Sequence, residues 1–310
     1  MNILITGIHG HVGLNLVRAL KGEHKIYGLD LVHAEIDGVT RVYTCAEIMD
    51  IPHMDVVIHL AGKFVETNDL SHALEYFEEN AGLARQTFKW FVQSSAKTFI
   101  FLSSVKAAAD HVQGFALTED VDPKPFGALG ESKLLAEKYI LEQYVVDKKV
   151  YVLRPSIIIG YGSLGNKNMS MLYRWVKNGY PFPLGKFHCC RSFTSVDNLA
   201  FILKRIIKAN IPSGIYNVAD DGSLTLSEVF EIMGAALGKK VFIWNFSKSF
   251  VKLASKISTR FNDYFDDYQY QKLSTDFVVN NEKIKKALAI EKMPVSIVDG
   301  LTKSVLEYKE

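Results

Sequence analysis

The chain has 310 residues, with 36 Lys and Arg against 34 Asp and Glu, so a net charge of +2 gives no basic field for a nucleic-acid binder. A content of 48% hydrophobic and 23% charged residues excludes an extended disordered chain, and no apolar run approaches the ~18 residues of a membrane span. Three cysteines, two of them adjacent at Cys189 and Cys190, suit neither a disulfide framework nor a zinc site, and a reducing compartment with no metal is expected. Residues 3–6 read as a buried strand, 12–20 as a helix, 25–29 as a second strand and 56–60 as another. Helical spacing over 83–91, a strand at 98–102, a helix at 132–144 and a strand at 150–153 continue the alternation. Short apolar runs alternating with helices predict an α/β fold, a Rossmann-type doubly wound parallel sheet covered on both faces.

The character changes after Arg154-Pro155. Gly160, Gly162 and Gly165 punctuate a loop, and 180–184 carries two prolines. Helices are expected over 225–237, opened by a Thr225/Glu228 capping pair, over 282–288 and over 296–308. Residues 1–160 and 193–221 are therefore read as a nucleotide-binding domain. Residues 161–192 and 222–310 are read as a smaller mixed α/β lobe that closes over the strand ends. Aromatics interleaved with Lys248, Lys252, Lys256 and Arg260 over 242–265 describe a half-buried helix more often than a membrane-surface one. The acidic, aromatic run 263–270 either borders a cleft or caps the lobe.

The sharpest motif is Gly7-Ile8-His9-Gly10-His11-Val12-Gly13, which follows a strand and opens a helix. In that setting the first glycine makes the turn, the second admits a pyrophosphate, and the third lets helix and strand pack closely. The helix N-terminus supplies free amides and a positive dipole end. His9 and His11 are loop residues near that pyrophosphate, with no partner ligands for a metal. Asp30 ends the second strand, where a carboxylate accepts hydrogen bonds from ribose hydroxyls and repels a 2′-phosphate. It favours NAD over NADP, with His33 and Arg41 the nearest residues able to soften the preference.

Together these residues resemble the extended short-chain dehydrogenase/reductase family, in its NAD-dependent nucleotide-sugar epimerase/dehydratase branch. The stretch Asp55-Val56-Val57-Ile58-His59-Leu60-Ala61-Gly62 is similar to the family's fourth strand, and the resemblance sets Leu60, Ala61 and Gly62 against the cofactor. Asn80 falls where a family asparagine supports the site, with the following glycine displaced by one position. In Phe99-Ile100-Phe101-Leu102-Ser103-Ser104, Ser104 aligns with the serine that polarises the sugar oxygen.

The family then carries Tyr-x-x-x-Lys on a helix, a spacing that puts both side chains on one face. There the tyrosine exchanges a proton with the sugar and the lysine lowers its pKa while binding the nicotinamide ribose. The matching stretch here is Leu129-Gly130-Glu131-Ser132-Lys133: Lys133 is present, and Leu129 stands in the tyrosine's place. Leucine moves no proton. Tyr144 and Lys148 repeat the spacing too far along the helix and are read as accidental, while Glu131 or a group on the substrate is a candidate replacement that no residue pattern singles out.

The sixth strand and its loop, Leu153-Arg154-Pro155-Ser156 with Gly160-Tyr161-Gly162, complete the resemblance, which sets Pro155 against the cofactor. It also implies that Arg191 clamps a sugar nucleotide's diphosphate, a task suited to a guanidinium, with Asn168 beside it. Lys63 either reaches a cofactor phosphate or lies exposed. The resemblance implies a cytoplasmic homodimer acting on a UDP-hexose-like substrate for cell-surface polysaccharide precursors, by epimerisation, dehydration or 4-keto reduction. The competing expectation is a non-catalytic NAD or sugar-nucleotide binder, in which Leu129 marks lost chemistry.

Overall fold

The structure is a computed structural model that describes residues 1–64, 73–112, 114–143, 145–164, 167–183, 185, 187–246 and 275–308. Tyr144, Gly165, the run 263–270 and most of the expected helix over 242–265 lie outside the described residues. The strands in chain order are β1 (Asn2–Thr6), β2 (Lys25–Leu29), β3 (Val39–Tyr43), β4 (Val56–His59), β5 (Thr98–Leu102) and β6 (Lys149–Pro155). They continue with β7 (Ile157–Ile159), β8 (Cys190–Arg191), β9 (Phe193–Ser195), β10 (Gly214–Val218) and β11 (Leu224–Thr225). The helices are α1 (His11–Leu20), α2 (Ala73–Tyr76), α3 (Leu83–Gln93), α4 (Ala128–Glu142) and α5 (Lys167–Lys177). After them come α6 (Val196–Lys208), α7 (Leu226–Ala236), α8 (Glu282–Leu288) and α9 (Ile297–Leu306). A π-helical segment, Phe77–Gly82, joins α2 to α3.

Seven strands form one sheet in the order β10-β6-β5-β4-β1-β2-β3, with every neighbouring pair parallel. The continuous apolar runs of the central strands follow from burial on both faces. Ile3, Ile5, Ile58, Ile100 and Leu153 point to one face, under Leu16 of α1 and Leu203 of α6. Their neighbours Leu4, Val57, Phe99 and Val152 point to the other, under Phe88 of α3 and Ile140 of α4. The strand order reverses at β1, between β2 and β4, and the carboxyl ends of the strands open a crevice there.

A separate apolar cluster gathers Leu172 of α5, Phe230 of α7 and Leu301 of α9 around Phe182 and Phe193. The stretch 222–310 divides its loyalties: α9 joins this second cluster, whereas Ile284 and Leu288 of α8 pack into the core of the large sheet. The capping box at Thr225 and Glu228 forms as its spacing requires, each side chain bonding the other's backbone N–H.

Three elements depart from the sequence reading. Strand β3 escapes it because Thr40 and Arg41 are exposed and only Val42 and Tyr43 are buried, so no alternation shows. The helix expected at 83 begins ten residues earlier with Ala73, through the π-helical segment. Helix α4 starts at Ala128 rather than at Ser132, because Gly127 adopts φ +84° and turns the chain into the helix directly. Leu129 consequently sits in its first turn.

Candidate active site

The glycine loop leaves β1 at Gly7, whose φ of +67° only glycine adopts freely, and a Cβ there would meet the Cα of Ala61 at 2.8 Å. At Gly13 a Cβ would lie 2.7 Å from the Gly7 carbonyl oxygen and would also collide with that of Ile8, so helix α1 packs on the loop only with glycine here. No side chain caps α1 at Gly10, which leaves its first-turn amides available to an anion. Asp30 follows β2, and its Oδ2 accepts a hydrogen bond from the His9 amide at 3.0 Å while Oδ1 accepts one from the Leu31 amide at 2.7 Å. His9 Nδ1 lies 3.2 Å from the same carboxylate. The acid and the loop are thus bound to each other. Burial lowers the pKa of His11, only partly offset by a hydrogen bond to the Tyr161 backbone. His33 is exposed, and Arg41 is drawn away by Glu47 at 2.8 Å, with its guanidinium over the Tyr43 ring.

The carboxyl ends of β4 and β5 carry the reactive groups. His59 stacks between Phe99 and Phe101 and shares a 2.8 Å hydrogen bond with Thr6 Oγ1. Burial, with the nearby Lys133 charge second, holds its pKa down at about 3, so the imidazole is neutral. Lys133 is fully buried. Its Nζ donates to the Leu102 carbonyl at 3.2 Å, and burial brings its pKa down to about 7 against a smaller opposing pull from Glu137. Gly62 (φ +141°) lets this amine approach, since a Cβ there would stand 3.4 Å from Lys133 Nζ and would collide with Asn80 Oδ1. Asn80, presented by the π-helical segment, donates to Ser132 Oγ at 2.9 Å, and its buried Oδ1 has no partner among the described residues. Neither Asn80 nor Lys133 is among the residues that line the cleft at the strand ends.

The two serines that end β5 separate. Both line the cleft, but Ser103 is buried and donates to Glu137 Oε1, while Ser104 is half-buried and its Oγ accepts from the Lys106 amide at 3.2 Å. Glu137, one turn beyond Lys133, takes the Arg154 guanidinium in a fully buried pair, with Nε to Oε1 at 3.0 Å. The pair ties α4 to β6 beneath the site.

A single cavity of about 1200 Å³ runs from the glycine loop and Asp30, past Leu60, Ala61, Ser104, Leu129 and Pro155, to Asn168 and Arg191. Val12 lines it beside His11. No tyrosine lines it among the described residues. Glu131, a candidate substitute for the tyrosine, is exposed and stands outside the cavity wall. Lys63 pairs with Glu75 and Glu79 instead of reaching the glycine loop. Lys148 donates to the carbonyls of Phe91 and Ser94, each at 2.7 Å, and does not line the cavity. Sequence reasoning passed over Lys106 and Asp110, which line the cavity and pair at 2.8 Å. Their only sequence signal is an i, i+4 charge spacing, which solvated helix faces share. Among the described residues no cluster of His, Cys, Asp and Glu could hold a metal, and no helix is long and apolar enough to cross a membrane.

A glycine loop at the switch point of a parallel sheet, an acid at the end of β2, and a buried lysine with an orphaned amide beside it define a dinucleotide-binding protein of the Rossmann class. The description of the NAD dependent epimerase/dehydratase family matches residues 3–219, and the chain belongs to that family, whose cofactor is NAD. It is similar to the UDP-glucose 4-epimerase of Vibrio cholerae, at 26% identity over 82% of this chain and 83% of that one. It is also similar to the GDP-6-deoxy-D-talose 4-dehydrogenase of Aggregatibacter actinomycetemcomitans, at 24% identity over 75% and 79% of the two chains. Among solved structures, the human epimerase family protein SDR39U1 with NADPH has the same fold, with a TM-score of 0.78 at 19% identity and 99% of each chain covered. MoeE5 in complex with UDP-glucuronic acid and NAD superposes with a TM-score of 0.75 at 18% identity over 98% of each chain.

Proposed function

We propose that this chain carries out an NAD-dependent redox step on a nucleoside-diphosphate sugar of the UDP-hexose kind. The step is 4-epimerisation or reduction of a 4-keto sugar, in the supply of cell-surface polysaccharide precursors. The observation that carries the reading is the single cavity joining Asp30 and the glycine loop at one end to Ser104, Asn168 and Arg191 at the other. Its volume of about 1200 Å³ leaves room for a dinucleotide and a second ligand beside Ser104. Similarity to relatives named for UDP-glucose and a GDP-deoxysugar supports the substrate class.

In this reading the NAD, when bound, supplies hydride exchange at its nicotinamide. The amides of α1 and the loop 7–13 hold the pyrophosphate, and Asp30 accepts the adenosine ribose hydroxyls. Lys133 and Asn80 fix the nicotinamide ribose, with Leu60, Ala61, Gly62 and Pro155 walling the cofactor. Ser104 polarises the sugar oxygen, and Arg191 and Asn168 clamp the diphosphate. We read residues 1–160 and 193–221 as the nucleotide domain and 161–192 and 222–310 as the substrate lobe, with α8 of the latter packed on the large sheet. The active protein is a cytoplasmic homodimer.

The deciding experiment incubates the protein with UDP- and dTDP-sugars, including 4-keto forms, and NAD or NADH, and separates products by chromatography and mass. A converted sugar is expected; no conversion alongside tight NAD binding would overturn the reading. One observation favours a second reading, a binder without chemistry: Leu129, not an acid or base, occupies the cavity wall at the tyrosine position.

A further inference from the structure

With leucine at position 129, the proton that must reach the sugar oxygen has to come from another side chain. At the glycine-loop end, Asp30 is engaged by the His9 and Leu31 amides. His59 is buried and bonded to Thr6, Glu79 pairs with Lys63, and a guanidinium such as Arg191 does not give up its proton. Lys106 is the titratable wall residue set beside Ser104. It follows Ser104 within one short helical turn, its amide donates to Ser104 Oγ, and both residues line the cavity.

The same turn packs directly on the start of α4. A Cβ on Gly130 would come within 2.5 Å of the Lys106 carbonyl oxygen, so the turn carrying the amine abuts the residue next to Leu129. The side chain is also placed with care. Nζ lies 2.8 Å from Asp110 Oδ1 and 5.0 Å from the centroid of Phe277, another wall residue. Asp110 is itself anchored, its Oδ2 accepting from the Phe126 amide at 2.6 Å. The Lys106 side chain is 20% exposed, and the residue lines the cavity.

We propose that Lys106 is the catalytic acid that replaces the tyrosine when a keto sugar is reduced, with Asp110 as its positioning residue. This rests on the sugar-oxidoreductase reading above and adds a residue to it. The carbonyl carbon accepts hydride from NADH as the C–O π bond opens, and the oxygen accepts a proton from Lys106 Nζ. The ketone becomes an alcohol, NADH becomes NAD⁺, and the neutral amine regains its proton from water.

The test compares wild type, Lys106→Met and Lys106→Arg with NADH and UDP- or dTDP-linked 4-keto-6-deoxyhexoses, together with calorimetric affinities for NADH and UDP. Both variants are expected to keep those affinities within about threefold and to lose turnover by about 10²–10⁴, the usual worth of a positioned acid. Added methylammonium or ethylammonium is expected to restore part of the turnover to Lys106→Met, with wild type unaffected. The arginine variant keeps the charge beside Asp110, so it covers the case in which the methionine variant fails to fold. Wild-type turnover with either folded variant within threefold of it would overturn the role of Lys106 and leave the sugar reading standing. A raised KM at unchanged kcat would reduce Lys106 to a binding contact and overturn the proposal equally. A wild type that binds NADH and UDP but reduces no keto sugar would overturn the sugar reading itself.

Discussion

The two ends of the cavity are built by different means. At the nucleotide end the backbone does the work: Gly7 and Gly13 are required because a Cβ would strike the chain at Ala61 or the loop itself, and the helix presents bare amides. At the chemistry end the backbone only supplies the platform, and side chains held from below make the site, namely Lys133, Asn80, Ser104 and the Glu137–Arg154 pair. A backbone site tolerates few substitutions, whereas a side-chain site can change its chemistry while the platform persists. Leu129 illustrates the second case: one residue departs from the family pattern and the sheet, helix and lysine around it remain in place.

If that division is real, Lys133→Met separates the ends most sharply. Turnover is expected to fall by about 10³, with NAD affinity, measured by calorimetry, changed less than tenfold; equal losses in both would break the comparison. Glu137→Gln attacks the support instead of the site. It leaves the Arg154 cation buried without its carboxylate and is expected to cost about 3–5 kcal/mol in urea unfolding. A loss under about 1 kcal/mol would mean that the platform does not depend on the pair.

The nucleotide end is probed by Gly13→Val, which forces a side chain into the Gly7 and Ile8 carbonyls. NAD affinity is expected to drop about 100-fold because α1 can no longer pack on the loop. Asp30→Asn should be milder, narrowing the preference for NAD over NADP by about tenfold in paired affinity measurements.

The remaining effect is a pH slope. Burial brings the Lys133 pKa down to about 7 from an ordinary 10.5, so between those values the unfolded chain holds the proton that the folded chain has released. Stability of the cofactor-free protein therefore rises with pH across that window and is lost as pH falls toward 7. Lys133→Met is expected to flatten the slope in urea titrations at pH 7 and pH 10. An unchanged slope would show that the amine is not dry in the folded state.

What could be read in advance follows the same division. Gly7 through Asp30 were legible because a backbone constraint dictates residue type, and because the strand and helix flanking the motif have clear periods. The parallel sheet was legible from its unbroken apolar runs, though which of Ile3 and Leu4 faces which helix layer was not, since both faces are equally apolar. Strand β3 was hidden by its exposed first half, and the early start of α4 by a glycine that sequence pattern reads as a loop. Lys106 and Asp110 were illegible for a stronger reason. Their meaning comes from the turn that brings them against Gly130, and an i, i+4 pair of opposite charges carries no trace of that neighbour.

The central position of β1 has a consequence for synthesis. Ile3 pairs beside Val56 of β4 and shares one apolar cluster with Ile284 of α8, some 280 residues later in the chain. Nearly the whole chain must emerge before that cluster closes. Until then one apolar face of the sheet lacks part of its cover, which makes the nascent protein a natural client of holdase chaperones and sensitive to stalled translation.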